Sequence, residues 1–243
     1  MKDINSLDTY SKICLLAFTA SVPEGRFKIP VSSFDDLNIS PARFLTKSIL
    51  YVLEADGWIE ITGEDLVLNY KNDDQFLVEL MSGLEPSCET ELMAIRDLAH
   101  QLLVAECIEF LAAICGASLE DSAKKGEPPN LLFELTETWS LSLVHQFLWR
   151  ATKEIENCRL TRLSSSGQNY LIQVSEKAKE KSEDFIESKF KTINFKRSLS
   201  FSRSKLAVVL YTMINPLSDR DVFTGAPLEG FKSMKVKMSE AME

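Results

Sequence analysis

The residue types that do chemistry are few in this chain, and their spacing limits what they can do. Of 243 residues only two are histidines, His100 and His145. Each lies in a long apolar stretch of helical character. Glu106 and Glu109 are the carboxylates that would complete a metal set if the two stretches were antiparallel neighbours. Helical zinc sites space their ligands as His-x-x-x-His or His-Glu-x-x-His, so that both rings share one face. Neither pattern occurs, and no metal is expected. The five cysteines (Cys14, Cys88, Cys107, Cys115, Cys158) include no Cys-x-x-Cys pair and are too scattered for a disulfide framework. Cys107 and Cys115 stand in apolar sequence, where a free thiol behaves as a small hydrophobe, and the set reads as reduced thiols of a cytoplasmic protein. No Gly-x-x-x-x-Gly-Lys-Ser/Thr loop or Gly-x-Gly-x-x-Gly turn is present to cradle phosphates, so no nucleotide cofactor is implied. Ser164-Ser165-Ser166-Gly167 lacks the flanking glycine and strand that expose a nucleophilic serine. Asp35-Asp36 and Asp73-Asp74 sit in turn-like sequence, where capping and solubility account for them. The chain carries no catalytic signature.

What remains is charge. Residues 1–149 hold 10 Lys/Arg against 24 Asp/Glu, whereas residues 150–243 hold 17 against 12. The acidic part repels phosphate at long range and the basic part attracts it. Within the basic part, Lys189, Lys191, Lys196, Arg197, Arg203 and Lys205 fall in seventeen residues without an acid, interleaved with Phe190, Phe195 and Phe201. Cations with aromatic rings between them suit a nucleic-acid backbone whose bases stack on the rings. The same pattern also describes a solvated basic face whose phenylalanines point inward, or a segment docked on the acidic half.

The elements that position these residues read mainly as helix. Ser6 to Ser21 repeats Leu7, Tyr10, Ile13, Cys14, Ala17 and Phe18 at helical spacing and is broken by Pro23-Glu24-Gly25. Phe27 to Val31 is a short extended piece, and Ser32 to Leu37 a brief helix. Ser40-Pro41 has the form of an N-cap followed by proline at the first helical position. The helix it opens runs through Leu45, Ile49 and Leu53 to Gly57, where a left-handed C-cap is expected. Trp58–Thr62 and Leu66–Tyr70 are strand-like runs joined by Gly63-Glu64-Asp65, a hairpin, and the Trp58 ring is expected against the first helix. Asp73 to Gly83 is a short helix and Glu89 to Gly116 a long, broadly apolar one. Glu106 and Glu109 interrupt its apolar run, which makes it a core helix rather than a membrane span. Another long helix is expected over Leu131–Cys158, and a last one over Tyr170–Ile186.

The passage Leu50-Tyr51-Val52-Leu53-Glu54-Ala55-Asp56-Gly57-Trp58-Ile59 resembles the winged helix-turn-helix superfamily at its transition from recognition helix to wing. Two apolar residues three apart precede a glycine and then a bulky apolar pair. The resemblance covers about residues 6–70. It implies a mainly α fold: an N-terminal winged helix-turn-helix with a small β-hairpin (residues 1–72), followed by an all-α domain with a basic C-terminal segment (73–215) and a tail (216–243). In DNA-binding members the third helix enters the major groove and the wing touches phosphate. That places Ser40, Arg43, Thr46 and Lys47 toward a groove. The tip Gly63-Glu64-Asp65 departs from the pattern, since it presents carboxylates where a phosphate contact wants lysine or arginine.

The sequence thus points to a nucleic-acid-binding regulatory or accessory protein of bacterial, phage or mobile-element type, without cofactor or membrane. The main electrostatic contact would be the 189–205 segment, and any sequence preference would come from Arg43 and Thr46. The other class of function that the residues support is a protein-interaction adaptor, in which the acidic N-terminal half docks on a protein partner.

Overall fold

The computed structural model describes residues 4–115, 128–159, 167–187, 193, 195, 202–215, 222 and 225. The protein is mainly helical with a small three-stranded antiparallel sheet. The described residues form two compact units, one from 4–99 with 203–215, the other from 100–202 with Val222 and Gly225. This partition differs from a boundary at residue 72. Residues 73–99 and the returning chain at 203–215 both belong with the N-terminal elements.

The first unit begins with α1 (Thr9–Thr19), capped by Asp8, whose carboxylate accepts the Ser11 N–H at 2.7 Å. Ile13, Cys14, Leu16, Ala17 and Phe18 are all buried, so α1 is central to its unit. β1 (Lys28–Pro30) pairs with β3 (Asp65–Leu68), and β2 (Ile59–Thr62) pairs with the other edge of β3, giving the order β1-β3-β2. Between β1 and β2 lie a 3-10 segment (Val31–Leu37) and α2 (Arg43–Ala55). Helix, short helix, helix and hairpin therefore follow one another in the expected order, with β1 as a third strand.

α2 ends as its sequence predicts. Gly57 takes φ 65°, the Trp58 N–H reaches the Leu53 carbonyl at 2.8 Å, and the Gly57 N–H reaches that of Glu54 at 2.8 Å. Those two bonds form a Schellman motif, which needs a left-handed residue and so favours glycine. The other end of α2 corrects the sequence reading. The N-cap is Ala42, extended at φ −132°, and no side chain caps the helix. The Ser40 hydroxyl bonds instead to the Ala42 carbonyl at 2.7 Å and to Thr46 Oγ1 at 2.9 Å. Ser40 and Pro41 thus precede the helix rather than open it.

Trp58 is buried with its ring edge-on to Tyr70 and tilted against Phe76, both at 6.1 Å, while Tyr70 and Phe76 stack at 4.4 Å. Tyr70 continues this cluster to α1, its hydroxyl 2.9 Å from Thr19 Oγ1. Phe76 lies on α3 (Asp74–Met81), whose N-cap Asp73 accepts the Phe76 N–H at 3.0 Å. α4 (Glu89–Cys115) is fastened at its start by Glu91, which accepts the N–H and hydroxyl of Ser87 at 2.6 and 2.8 Å and those of Thr9 at 3.3 and 3.1 Å. By length and composition α4 is the one described helix that could cross a bilayer. In the protein its Leu92, Ile95, Leu98, Leu102, Ile108 and Leu111 are buried, and so is Glu106.

The second unit holds the later part of α4 with α5 (Asn130–Thr138), α6 (Leu141–Arg159) and α7 (Gly167–Ile186). The single helix expected over 131–158 is two helices. Thr136 and Thr138 turn their hydroxyls back to the Leu132 and Glu134 carbonyls at 2.8 and 2.9 Å, a bond that loosens and bends a helix. Trp139 then becomes extended at φ −122°, ψ 151°, and its ring packs edge-on to Phe147 and Phe185, each at 5.6 Å. The ring contacts of the half-buried indole accompany the break in the helical pattern.

After residue 202 the chain rejoins the first unit as α8 (Lys205–Val208), which continues into a π-helix (Val209–Ile214). Leu206, Ala207, Leu210 and Tyr211 are buried there, and α8 packs on α1.

Candidate nucleic-acid interface

The face of α2 that looks outward is set by what it buries. Leu45, Ile49, Leu50 and Leu53 face the core, which leaves Lys47, Ser48 and Tyr51 exposed, with Arg43 and Phe44 half-buried at the start of the same face. Tyr51 is 73% exposed, more than any other large hydrophobic side chain among the described residues. Of the four residues expected toward a groove, Arg43 and Lys47 lie on this face. Thr46 does not. It is only 8% exposed and bonded to Ser40. The reason is helical geometry: Thr46 stands three residues before Ile49 and four before Leu50, which puts it on the buried side. Ser40 is half-buried, its hydroxyl held between Ala42 and Thr46. Ser48 and Tyr51 were legible in the same periodicity, since they fall opposite Ile49 and Leu53.

Charge along α2 runs against the helix dipole. Arg43 is its first residue and Lys47 follows one turn later, with no acid in the first turn, while Glu54 and Asp56 stand at its C-terminal end. The positive end of a helix favours anions and the negative end cations, by roughly 0.3–1 kcal/mol per group. α2 has both ends reversed. The hairpin beyond it is acidic: Glu60 and Glu64 are exposed and Asp65 half-buried, with Gly63 turning the tip at φ 62°.

The basic C-terminal residues divide. Lys189, Lys191, Lys196 and Arg197 lie outside the described residues. Arg203 and Lys205 come to the first unit, beside the turn that precedes α2: the Lys205 N–H donates to the Asn38 carbonyl at 3.0 Å, and Asn38 Nδ2 donates to the Arg203 carbonyl at 3.2 Å. The Arg203 guanidinium lies over the Tyr211 ring at 5.9 Å, with one terminal nitrogen buried, so it faces inward rather than toward a phosphate. Lys205 is half-exposed. In the second unit, the half-buried Phe195 meets Phe110 edge-on at 5.5 Å and Trp149 at 6.3 Å.

The histidines serve separate contacts. His100 Nε2 is 3.0 Å from both the Phe133 carbonyl and Thr136 Oγ1, whereas the His145 ring stacks flat on Phe110 at 4.1 Å. No group of three or more His, Cys, Asp or Glu among the described residues is placed to hold a metal ion. No protein-family model, no curated protein and no solved structure matches the chain.

Proposed function

We propose that the protein is a nucleic-acid-binding regulatory or accessory factor whose first unit is a winged helix-turn-helix, with the N-terminal half of α2 as its contact. The reversed charge of α2 carries this reading. A local rule is broken in a folded protein chiefly where function requires it. Arg43 and Lys47 at a helix N-terminus form a surface suited to phosphate. Lys47, Ser48 and Tyr51 supply an ammonium, a hydroxyl and an amphipathic ring to a groove on the same face. The acidic hairpin repels phosphate, so the approach is one-sided, from the α2 start. Binding of labelled duplex DNA, single-stranded DNA and RNA, titrated against salt, tests the proposal: affinity should fall steeply as salt rises.

The second reading, a protein-interaction adaptor, is favoured by Tyr51 standing 73% exposed in company with Glu54, Glu60 and Glu64. An exposed aromatic on an acidic module suits a basic protein surface. Absence of binding to all three nucleic acids at low salt selects the adaptor.

A further inference from the structure

The turn that leads into α2 is held from the far end of the chain. Asn38 is the only non-glycine residue with positive φ among those described, at φ 47° and ψ 38°. Its side chain donates to the Arg203 carbonyl at 3.2 Å, and its own carbonyl accepts the Lys205 N–H at 3.0 Å. The next carbonyl, that of Ile39, accepts the Leu206 N–H at 3.0 Å. Only Ser40, Pro41 and Ala42 separate this contact from Arg43, and Pro41 and Ala42 are buried. A displacement at residues 38–39 therefore passes directly to the start of α2. The holding segment is itself unusual. After the single turn of α8 it forms a π-helix over Val209–Ile214, a geometry that is rare and concentrated at functional positions. A left-handed C-cap, which asparagine tolerates, and a π-helix thus occur in contacting segments.

We propose that residues 203–214 are a strap whose docking on the Asn38–Ile39 turn sets the presentation of α2, so that release of the strap withdraws the Arg43–Lys47 end. Ser202, the residue before the strap, belongs to the second unit. A change in that unit reaches the strap through the chain itself, which makes the strap the control element for the first unit's binding face. The effect on ligand rests on the nucleic-acid reading; the coupling of strap to α2 does not.

Amide hydrogen exchange on the full chain, paired with duplex DNA binding, tests this. Two variants loosen the strap from opposite sides. Asn38→Gly accommodates the left-handed turn and removes the side-chain bond to the Arg203 carbonyl. Ser204→Ala removes the hydroxyl that accepts the Ala207 N–H and caps α8, without touching α2 or its turn. Exchange at Lys205 and Leu206 should quicken about threefold to tenfold in each variant. The amides in the first two turns of α2 should quicken by the same factor, while those of α6 and α7 stay unchanged, and duplex affinity should fall in step. If Ser204→Ala frees Lys205 and Leu206 but leaves α2 protected, the strap is not a control element, whatever happens to binding. If exchange is coupled but wild-type protein binds no nucleic acid at low salt, the strap stands and the nucleic-acid reading falls.

Discussion

α2 and α7 carry basic residues in opposite circumstances. On α7 every described lysine is matched: Lys177 pairs with Glu154 and Glu180, Lys179 with Glu134 at 3.6 Å, and Lys181 with Glu154 at 2.7 Å and Asp184 at 3.5 Å. On α2, Lys47 is exposed and makes no ion pair among the described residues, and it stands near a helix end that disfavours cations. The number of cations on an element therefore says little about its field. α7 is a structural clasp across helices, whereas Lys47 on α2 is an exposed cation without an ion pair among the described residues.

The largest expected effect is on the platform that holds α2. Trp58→Ala should cost about 3–5 kcal/mol in urea unfolding, the usual result of emptying a buried indole site, because Tyr70 and Phe76 both pack on that ring. A loss below about 1 kcal/mol would show that the cluster closes without the indole and is not the platform. The comparison itself is tested next. Arg43→Ala with Lys47→Ala should weaken nucleic-acid binding roughly a hundredfold and lower the logarithmic salt slope by about two. Lys177→Ala with Lys179→Ala should leave both within about twofold, because paired lysines attract little. Equal losses from the two pairs would remove the distinction between the helices.

Two carboxylates sharpen it further. Burial pushes the Glu91 carboxyl up, but the donors of Ser87 and Thr9 together outweigh that and hold it below the usual carboxylate range. A group depressed on folding adds stability above its unfolded value, about 4.3, and loses it as pH falls through the folded value. Glu91→Gln should therefore cost about 1–2 kcal/mol at neutral pH and nothing well below the folded value, as acid and neutral melts would show. Glu154 is depressed as well, chiefly by its bond to Lys181, and its side chain is 40% exposed among the ammonium groups of Lys177 and Lys181. Glu154→Gln should lower the melting temperature by about two degrees or less, and the difference should vanish in 1 M salt, where the Debye length is about 3 Å. The Glu91 difference should persist there, since its donors are neutral. An effect at Glu91 that salt abolished would place it in the same class as the α7 clasp.

The sequence by itself determined the elements whose signals are local. The Gly57 stop, the Asp73 cap, the Gly63 turn and the span of α4 follow from residues within a few positions of one another, because capping, turn geometry and 3.6-residue periodicity act over that range. Arg43 and Lys47 are legible in the same way, and so are Ser48 and Tyr51, whereas Thr46, expected on the outward face, is buried because Ile49 and Leu50 stand three and four residues on. Only the tertiary structure decided the rest. It moved the start of α2 past Ser40, whose hydroxyl is held by Ala42 and Thr46. It broke the 131–158 helix at Trp139 so that the indole could reach Phe147 and Phe185. It turned Arg203 onto Tyr211 and brought residues 203–206 to Asn38, a contact across 165 positions of sequence. Hydrogen bonds and ring contacts over such separations leave no periodic trace in the chain, because they are selected by which surfaces meet once the elements exist.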